Sequence, residues 1–377
     1  MLLVSEDWYF WTHRLRLAQQ AVERGYRVTL VTRCSRHCAP IRACGIDVVD
    51  FDIGRTGTNP AKDLKSLFSL VRLIRGRRPD IVYSVALKPV LLGGLAAWAA
   101  GVKTRFAALG GLGFLFGGVA TRNFPLRLLV TGALRLLLAG DDVIVQNSAD
   151  LRVLMDQAKV PESRLHLIPG AGVDLERFHP VPEPTDGPIR LALVARMLWA
   201  KGVAETVEAT CLLRQRGLDV VLDLVGEPDA ANPGCIDSVQ LRRWAALPGV
   251  QWLGRCDAVE DVWAASHIAV LPSYYREGLP KALMEAAACG RPIVTTDAPG
   301  CRDAIIIGES GVLVPERQPV ALADALEGLV RDGALRKAMG QRARRDAEDR
   351  FSDTSINTRI LDLCDQALGR GARRPGD

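Results

Sequence analysis

The chain has 377 residues, 48% of them apolar and 24% charged, with a formal net charge of +5. That length allows two domains of ordinary size, and the balance excludes disordered and collagen-like classes. No apolar run reaches the roughly 18 residues that a membrane span needs, and no signal-peptide pattern is read at the start. The charge is uneven. Residues 1–185 carry 24 Lys and Arg against 16 Asp and Glu, and the remainder carries 24 against 27. A basic half beside a near-neutral half suggests an anionic partner for the first. No helix-turn-helix, zinc-finger or aromatic RNA-binding pattern accompanies the charge, so nucleic acid is not the partner expected.

In chain order, near-continuous apolar runs bounded by Gly, Pro or charge predict buried parallel strands. In the first half these are Leu2–Ser5, Arg27–Val31, Ile46–Phe51, Asp80–Ser84, Thr104–Ala108, Asp142–Gln146 and Leu165–Ile168. Helical patterns such as Thr12–Arg24 and Pro60–Arg75 lie between most of them. The first strand is short for a buried one, which suggests a start a few residues upstream. Nine cysteines show no paired framework and read as reduced thiols of a cytoplasmic protein. Cys34, His37, Cys38 and Cys44 cluster, but their spacing fits no common zinc site. Phe124–Ala139, "FPLRLLVTGALRLLLA", is apolar with Arg127 and Arg135 eight apart. It reads either as a buried helix or as a segment touching anionic lipid together with Arg72, Arg75, Arg77 and Arg78.

"HPVPEPTDGP", His179 to Pro188, carries four prolines and reads as an extended linker. Beyond it the strands are Ile189–Ala195, Asp219–Val225, Val250–Leu253, Ile268–Leu271, Pro292–Thr295 and Gly311–Val314. This is βαβ alternation done twice, which predicts two doubly wound Rossmann-like α/β domains facing across a cleft. The domains expected are 1–178 and 189–352, joined by 179–188. A helix over 353–368 is expected to return to the first domain, before a disordered tail at 369–377.

In such sheets ligands bind beyond the carboxyl ends of the strands. After Ile189–Ala195 comes "RMLWAKG", where Arg196 and Lys201 precede the helix Val203–Arg216. Two cations beside a helix N-terminus suit a diphosphate; a solvated loop is the plain alternative. After Ile268–Leu271 comes "SYYREGLPKALMEAAACGRPIVTTDAPG". Gly278, Leu279 and Pro280 open a helix and offer a second anion site. Glu277 stands just before that helix. Glu285 lies inside it, too deep to cap it, among apolar residues. A carboxylate there needs a polar partner, unless one helix face looks at solvent.

Three elements now resemble a known family: "ARMLWAKG", "EGLPKALMEAAACGRPIVTTDAPG" and "IPGAGVDLERFHP". Together they resemble the retaining GT-B glycosyltransferases of family GT4 over nearly the whole chain. "YFWTHRLRLA", "VALKPVLLGGLAA" and "ALGGLGFLF" resemble the bacterial subgroup that builds surface polysaccharides or glycans on undecaprenyl diphosphate. The resemblance implies a UDP-sugar donor, a polyprenyl-diphosphate-linked sugar acceptor and a hexose or N-acetylhexosamine transferred with retention. It implies that Glu285 accepts from the donor ribose and that Glu277 stands beside the donor sugar. It implies that Arg196, Lys201 and the backbone of Gly278 and Leu279 meet the diphosphate. Many relatives carry a histidine after the fourth strand, where this chain reads "YSVALKP". His13, expected at the start of a helix, is the candidate for general base or acceptor orientation, and Lys88 for binding the acceptor diphosphate. Gly111 and Gly113 are the remaining acceptor-binding candidates. The leaving diphosphate oxygen is a further candidate to take the acceptor proton.

No cofactor or metal is expected. The one Asp-x-Asp, Asp50 to Asp52, ends a first-domain strand, and Arg196 and Lys201 supply the charge a metal would. "GGLGFLFGG" begins a dinucleotide fingerprint, but Phe116 replaces its last glycine, which disfavours an oxidoreductase. A UDP-sugar 2-epimerase and a non-catalytic nucleotide-sugar binder are the alternatives. The lipid-linked acceptor implies a cytoplasmic protein held peripherally on the anionic inner face of the membrane.

Overall fold

The computed structural model describes residues 1–54, 60–112, 131–132 and 134–372. Their folding divides into two compact units, Met1–Gly172 with Asp353–Asp377, and Val173–Ser352.

The first unit is built on a seven-stranded sheet, every pairing parallel. Its strands are β1 (Leu2–Glu6), β2 (Thr29–Arg33), β3 (Asp47–Asp50), β4 (Ile81–Val85), β5 (Thr104–Leu109), β6 (Asp142–Val145) and β7 (Leu165–Leu167). Their spatial order is β3-β2-β1-β4-β5-β6-β7. Strands with helices on both faces cannot alternate, and β6, Asp-Val-Ile-Val, is buried at all four positions. The helices described between them include α1 (Asp7–His13), α2 (Leu15–Glu23), α3 (Cys38–Ala43), α4 (Pro60–Arg77), α5 (Leu87–Ala99) and α6 (Ser148–Asp156). Asn147 caps α6, its side chain accepting from the Asp150 N–H at 2.7 Å.

The single helix expected over Thr12–Arg24 is two helices. Arg14 leaves the helical region, at φ −133° and ψ −4°, and is buried at the break. His13 therefore ends α1 instead of starting a helix. In Phe124–Ala139, residues 124–130 and 133 lie outside the described residues. Within its described part, Leu134 and Leu138 are buried while Leu136 is 81% exposed. The expectation of nine free thiols is corrected: Cys34 and Cys38 form a disulfide, their Cα atoms 5.6 Å apart. The loop they close is tied down by acceptors: the Cys34 N–H donates to Asp50, and those of Ser35 and His37 donate to buried Asp7.

The second unit is built on a six-stranded parallel sheet in the order β10-β9-β8-β11-β12-β13. Its elements in chain order are β8 (Ile189–Val194), α7 (Val203–Gln215), β9 (Val220–Val225), α8 (Ser238–Ala245), β10 (Val250–Gly254), α9 (Val259–Ala265), β11 (Ile268–Leu271), α10 (Lys281–Ala288), β12 (Ile293–Thr296), β13 (Gly311–Val314), α11 (Pro319–Arg331) and α12 (Gly333–Asp346). Val173 and Phe178 are buried in its core. The proline-rich segment is tied to this unit too: Arg291 donates to Val181 O at 3.1 Å, Arg336 pairs with Glu183, and His267 Nε2 meets Pro184 O at 3.0 Å.

The last helix, α13 (Asp353–Ala372), folds onto the first unit. Ile356, Ile360, Leu361, Cys364 and Ala367 recur at helical spacing and are buried against the core that holds Leu17, Ala18 and Ala21 of α2.

Candidate functional site

The strand order of the second sheet reverses direction at β8, which has β9 on one side and β11 on the other. A crevice opens beyond the carboxyl ends at such a switch point. The loops leaving β8 and β11 carry Arg196, Lys201 and Glu277, so topology alone brings these three to one end of the sheet.

Their approach depends on backbone that only glycine permits. Gly202 follows Lys201 at φ +74°, and a Cβ on it would lie 2.3 Å from Pro272 O. The two loops therefore touch, and the Tyr274 N–H donates to Ala200 O at 3.0 Å. Lys201, itself buried, forms an ion pair with Glu277. The buried Ser273 hydroxyl donates to Glu277 Oε1 at 2.7 Å. Glu277 is thus held in place by a cation and a hydroxyl. Arg196, half exposed, donates to Asp229 of the loop after β9 at 2.6 Å. Tyr275 feels both groups. Burial raises its hydroxyl pKa, Glu277 raises it further, and Arg196 lowers it.

The second glutamate has a different setting. Glu285 lies in the middle of α10 and is 8% exposed, among buried Leu283, Met284, Ala286, Ala287 and Ala288. Lys281, one turn earlier, places Nζ 3.7 Å from it. Burial pushes its carboxyl above the ordinary range, against the opposing pull of Lys281 and then Arg177. A carboxyl buried there against desolvation is a candidate functional group. Leu279 packs its side chain into the core. Gly278 meets Gly300, where a Cβ would lie 1.6 Å from Gly278 O.

The first-unit candidates sit in the loops and helix ends around its sheet. His13 stacks on Tyr9, ring centroids 4.3 Å apart, and its Nδ1 is 2.7 Å from Thr12 Oγ1. Lys88, in the first turn of α5, pairs with Asp63 at 2.8 Å. Gly111 takes φ +125° just beyond β5, beside Gly110, where a Cβ would lie 3.6 Å from Gln146 and 3.7 Å from the Tyr9 hydroxyl. Gly113 lies outside the described residues. Asp50 and Asp52 serve local structure: Asp50 accepts from Cys34 N, and Asp52 accepts from Gly54 N and Lys62. Among the described residues no three His, Cys, Asp or Glu side chains gather as metal ligands.

Sequence reasoning missed Ser273, Asp229 and Tyr275. Asp229 was within reach of the rule that found Arg196, since it too follows a strand adjoining the switch point. Ser273 carried no such signal, because a serine after a strand is ordinary until a carboxylate folds back onto it. The histidines of the second unit are structural: His267 holds the proline-rich segment, and His179 Nδ1 sits 3.1 Å from Glu176 O. The several histidines an epimerase reading needs are not at this crevice.

Two family models match the chain, "Glycosyl transferase 4-like domain" over residues 10–171 and "Glycosyl transferases group 1" over residues 188–332. An N,N'-diacetylbacillosaminyl-diphospho-undecaprenol alpha-1,3-N-acetylgalactosaminyltransferase of Campylobacter jejuni is 27% identical, covering 94% of this chain and 95% of its own. The capsular polysaccharide biosynthesis glycosyltransferase CapM of Staphylococcus aureus is 23% identical over 78% of each. Among solved structures, Anabaena HepE in complex with UDP and glucose superposes with a TM-score of 0.76 at 18% identity, covering 97% of this chain and 98% of that one. Sucrose-phosphate synthase of Thermosynechococcus elongatus gives 0.77 at 20% identity, covering 98% and 99%.

Proposed function

From the premise that the chain belongs to the GT-B glycosyltransferases, we propose that it moves a hexose or N-acetylhexosamine from a UDP-sugar to a polyprenyl-diphosphate-linked saccharide in bacterial glycan assembly. One observation carries the donor half of this reading. An ion pair of buried Lys201 with Glu277, steadied by Ser273, stands with Arg196 at the carboxyl end of β8 and β11. The acceptor half is supported by the Campylobacter relative, whose name specifies an undecaprenol-linked acceptor and which matches along nearly its whole length.

The chemistry asks for charge stabilisation on the departing diphosphate. Lys201 and Arg196 supply two positive charges in the loop that leads into α7, where preformed charges and dipoles act without rearranging in the transition state. With those cations in place, transfer proceeds without a metal. Glu277, fixed by Lys201 and Ser273, orients the donor sugar, and Glu285 accepts from the ribose hydroxyls. In the first unit, Lys88, Gly111 and Gly113 bind the acceptor, and His13 orients it. For retention, the leaving diphosphate oxygen takes the acceptor proton on the face where the new bond forms. The enzyme works at the cytoplasmic face of an anionic membrane; no helix among the described residues is long and apolar enough to cross one.

The test is donor screening by nucleotide release with a polyprenyl-diphosphate-linked sugar as acceptor. Turnover of a UDP-sugar, dependent on that acceptor and surviving EDTA, is expected. Release of GDP alone would overturn the donor assignment. Loss with EDTA, restored by magnesium or manganese, would overturn metal independence and return Asp50 and Asp52 to consideration.

A further inference from the structure

In this structure each cation at the crevice end of β8 is matched by a carboxylate, Lys201 by Glu277 and Arg196 by Asp229. A diphosphate brings at least two negative charges and competes for the same guanidinium. We propose that Asp229 is a positioning residue that holds Arg196 as an internal stand-in for the donor's diphosphate and yields it when the diphosphate binds. The proposal rests on the reading of Arg196 as a diphosphate ligand and adds to it a built-in competitor.

The loop bearing Asp229 is anchored along the segment that bears Arg196. The Met197 N–H donates to Glu227 O at 3.0 Å, the Trp199 N–H to Gly234 O at 3.0 Å, and the Ile236 N–H to Met197 O at 2.9 Å. Gly226 permits the approach, since a Cβ there would lie 1.8 Å from Ala195 O. Within the loop, the Asn232 N–H donates to Asp229 O at 2.8 Å. Asp229 thus hangs on a short side chain from fixed backbone, with its carboxylate 13% exposed. The Arg196 side chain is 44% exposed and far longer. The arginine is therefore the partner that moves, and the carboxylate defines where it waits. An open arginine would sample many rotamers, whereas one held by a single charged hydrogen bond is placed beside the crevice. The same carboxylate draws the guanidinium back after transfer and so helps UDP leave.

A merely structural role and a competitor role predict opposite signs. If Asp229 only orders Arg196, Asp229→Asn weakens UDP binding. If it competes, Asp229→Asn tightens UDP about five-fold, the scale of a half-exposed ion pair. KM for the donor then falls and kcat does not rise. Calorimetry of UDP with the single variants Asp229→Asn and Arg196→Ala and with the double variant closes the cycle. Tightening in the native background that vanishes in Arg196→Ala is the result expected. Equal tightening in both backgrounds reports only the general field of a lost negative charge and overturns the proposal. Unchanged or weaker binding in Asp229→Asn, with Arg196→Ala still weakened, overturns it while leaving the donor site in place. Unchanged UDP affinity in Arg196→Ala overturns the donor-site reading and the proposal with it. Should the Asn variant fail to fold, Asp229→Ser completes the same cycle.

Discussion

Glu285 holds an ionisable group where the fold leaves it little water. Its carboxyl is raised by burial, so in the folded protein it resists ionising more than in the unfolded chain. Well below the ordinary carboxylate range both states are protonated and the group costs nothing. As pH rises through the raised folded value, stability is lost, and above it the loss is complete. Glu285→Gln should therefore raise Tm at pH 7 relative to the native protein, with the two converging towards about pH 4, near the ordinary glutamate value. The same change should weaken UDP about 10- to 100-fold, the loss of a charged hydrogen bond to the ribose. Thermal melts across pH, with UDP calorimetry at pH 7, check both signs. A variant that is destabilised at pH 7 would show that the charge is well compensated there, and one that binds UDP normally would remove the ribose assignment.

At the scale of elements, two loops and a helix start form the crevice only because certain glycines let backbone meet backbone. Gly300 is the tightest case, at φ +82° with a Cβ position inside Gly278 O. Gly300→Ala cannot be absorbed by a side-chain shift and must displace the turn that opens α10. A loss of UDP binding, with stability lowered by about 3 kcal/mol or more, is expected, since strained conformations cost about 1–3 kcal/mol before any clash is counted. Gly217, at φ +79° with nothing within 4 Å of a Cβ, is the control. Gly217→Ala carries only the left-handed penalty of about 1–2 kcal/mol and should bind UDP as the native protein does. Chemical denaturation and UDP titration of both variants separate strain from clash. Equal behaviour would mean that the Gly278–Gly300 approach does not shape the site.

For the whole molecule, the basic surplus of the first half acquires a surface. On α4, Leu64 and Phe68 are 54% and 67% exposed, one turn apart, with Lys65 and Arg72 exposed beside them. Of the four arginines singled out in sequence, Arg77 pairs with Asp47 and Arg75 donates to Ala99 O, so they are partly engaged locally. Arg72 and the exposed apolar pair are the better placed for an anionic membrane. Each basic side chain near such a surface adds about 1 kcal/mol, within a Debye length of roughly 8 Å at physiological salt. The protein should co-sediment with phosphatidylglycerol vesicles at low salt and detach at high salt. Phe68→Ser with Arg72→Glu should weaken that retention without altering UDP affinity, because α4 belongs to the first unit and the residues proposed for the nucleotide to the second. Equal retention on neutral vesicles would count against electrostatic docking.

The amino-acid sequence by itself determined the thirteen strands found among the described residues and the doubly wound class. Buried parallel strands need unbroken apolar runs, and the helices between them need a different period. It also singled out Arg196, Lys201, Glu277 and Glu285 as candidates, because charge at a strand end or inside an apolar helix is locally conspicuous. It did not carry partners. Cys34 with Cys38, Lys88 with Asp63, Arg196 with Asp229 and Ser273 with Glu277 are decided by where loops come to rest. The split of α1 from α2 at Arg14 likewise escaped the local pattern, since helical periodicity runs straight through it. Which carboxylate answers which cation depends on strand order, and strand order is a choice among tertiary arrangements that the same local patterns allow. Once β8 lies between β9 and β11, Asp229 and Glu277, from the loops after those two strands, meet the two cations of a single loop between β8 and α7.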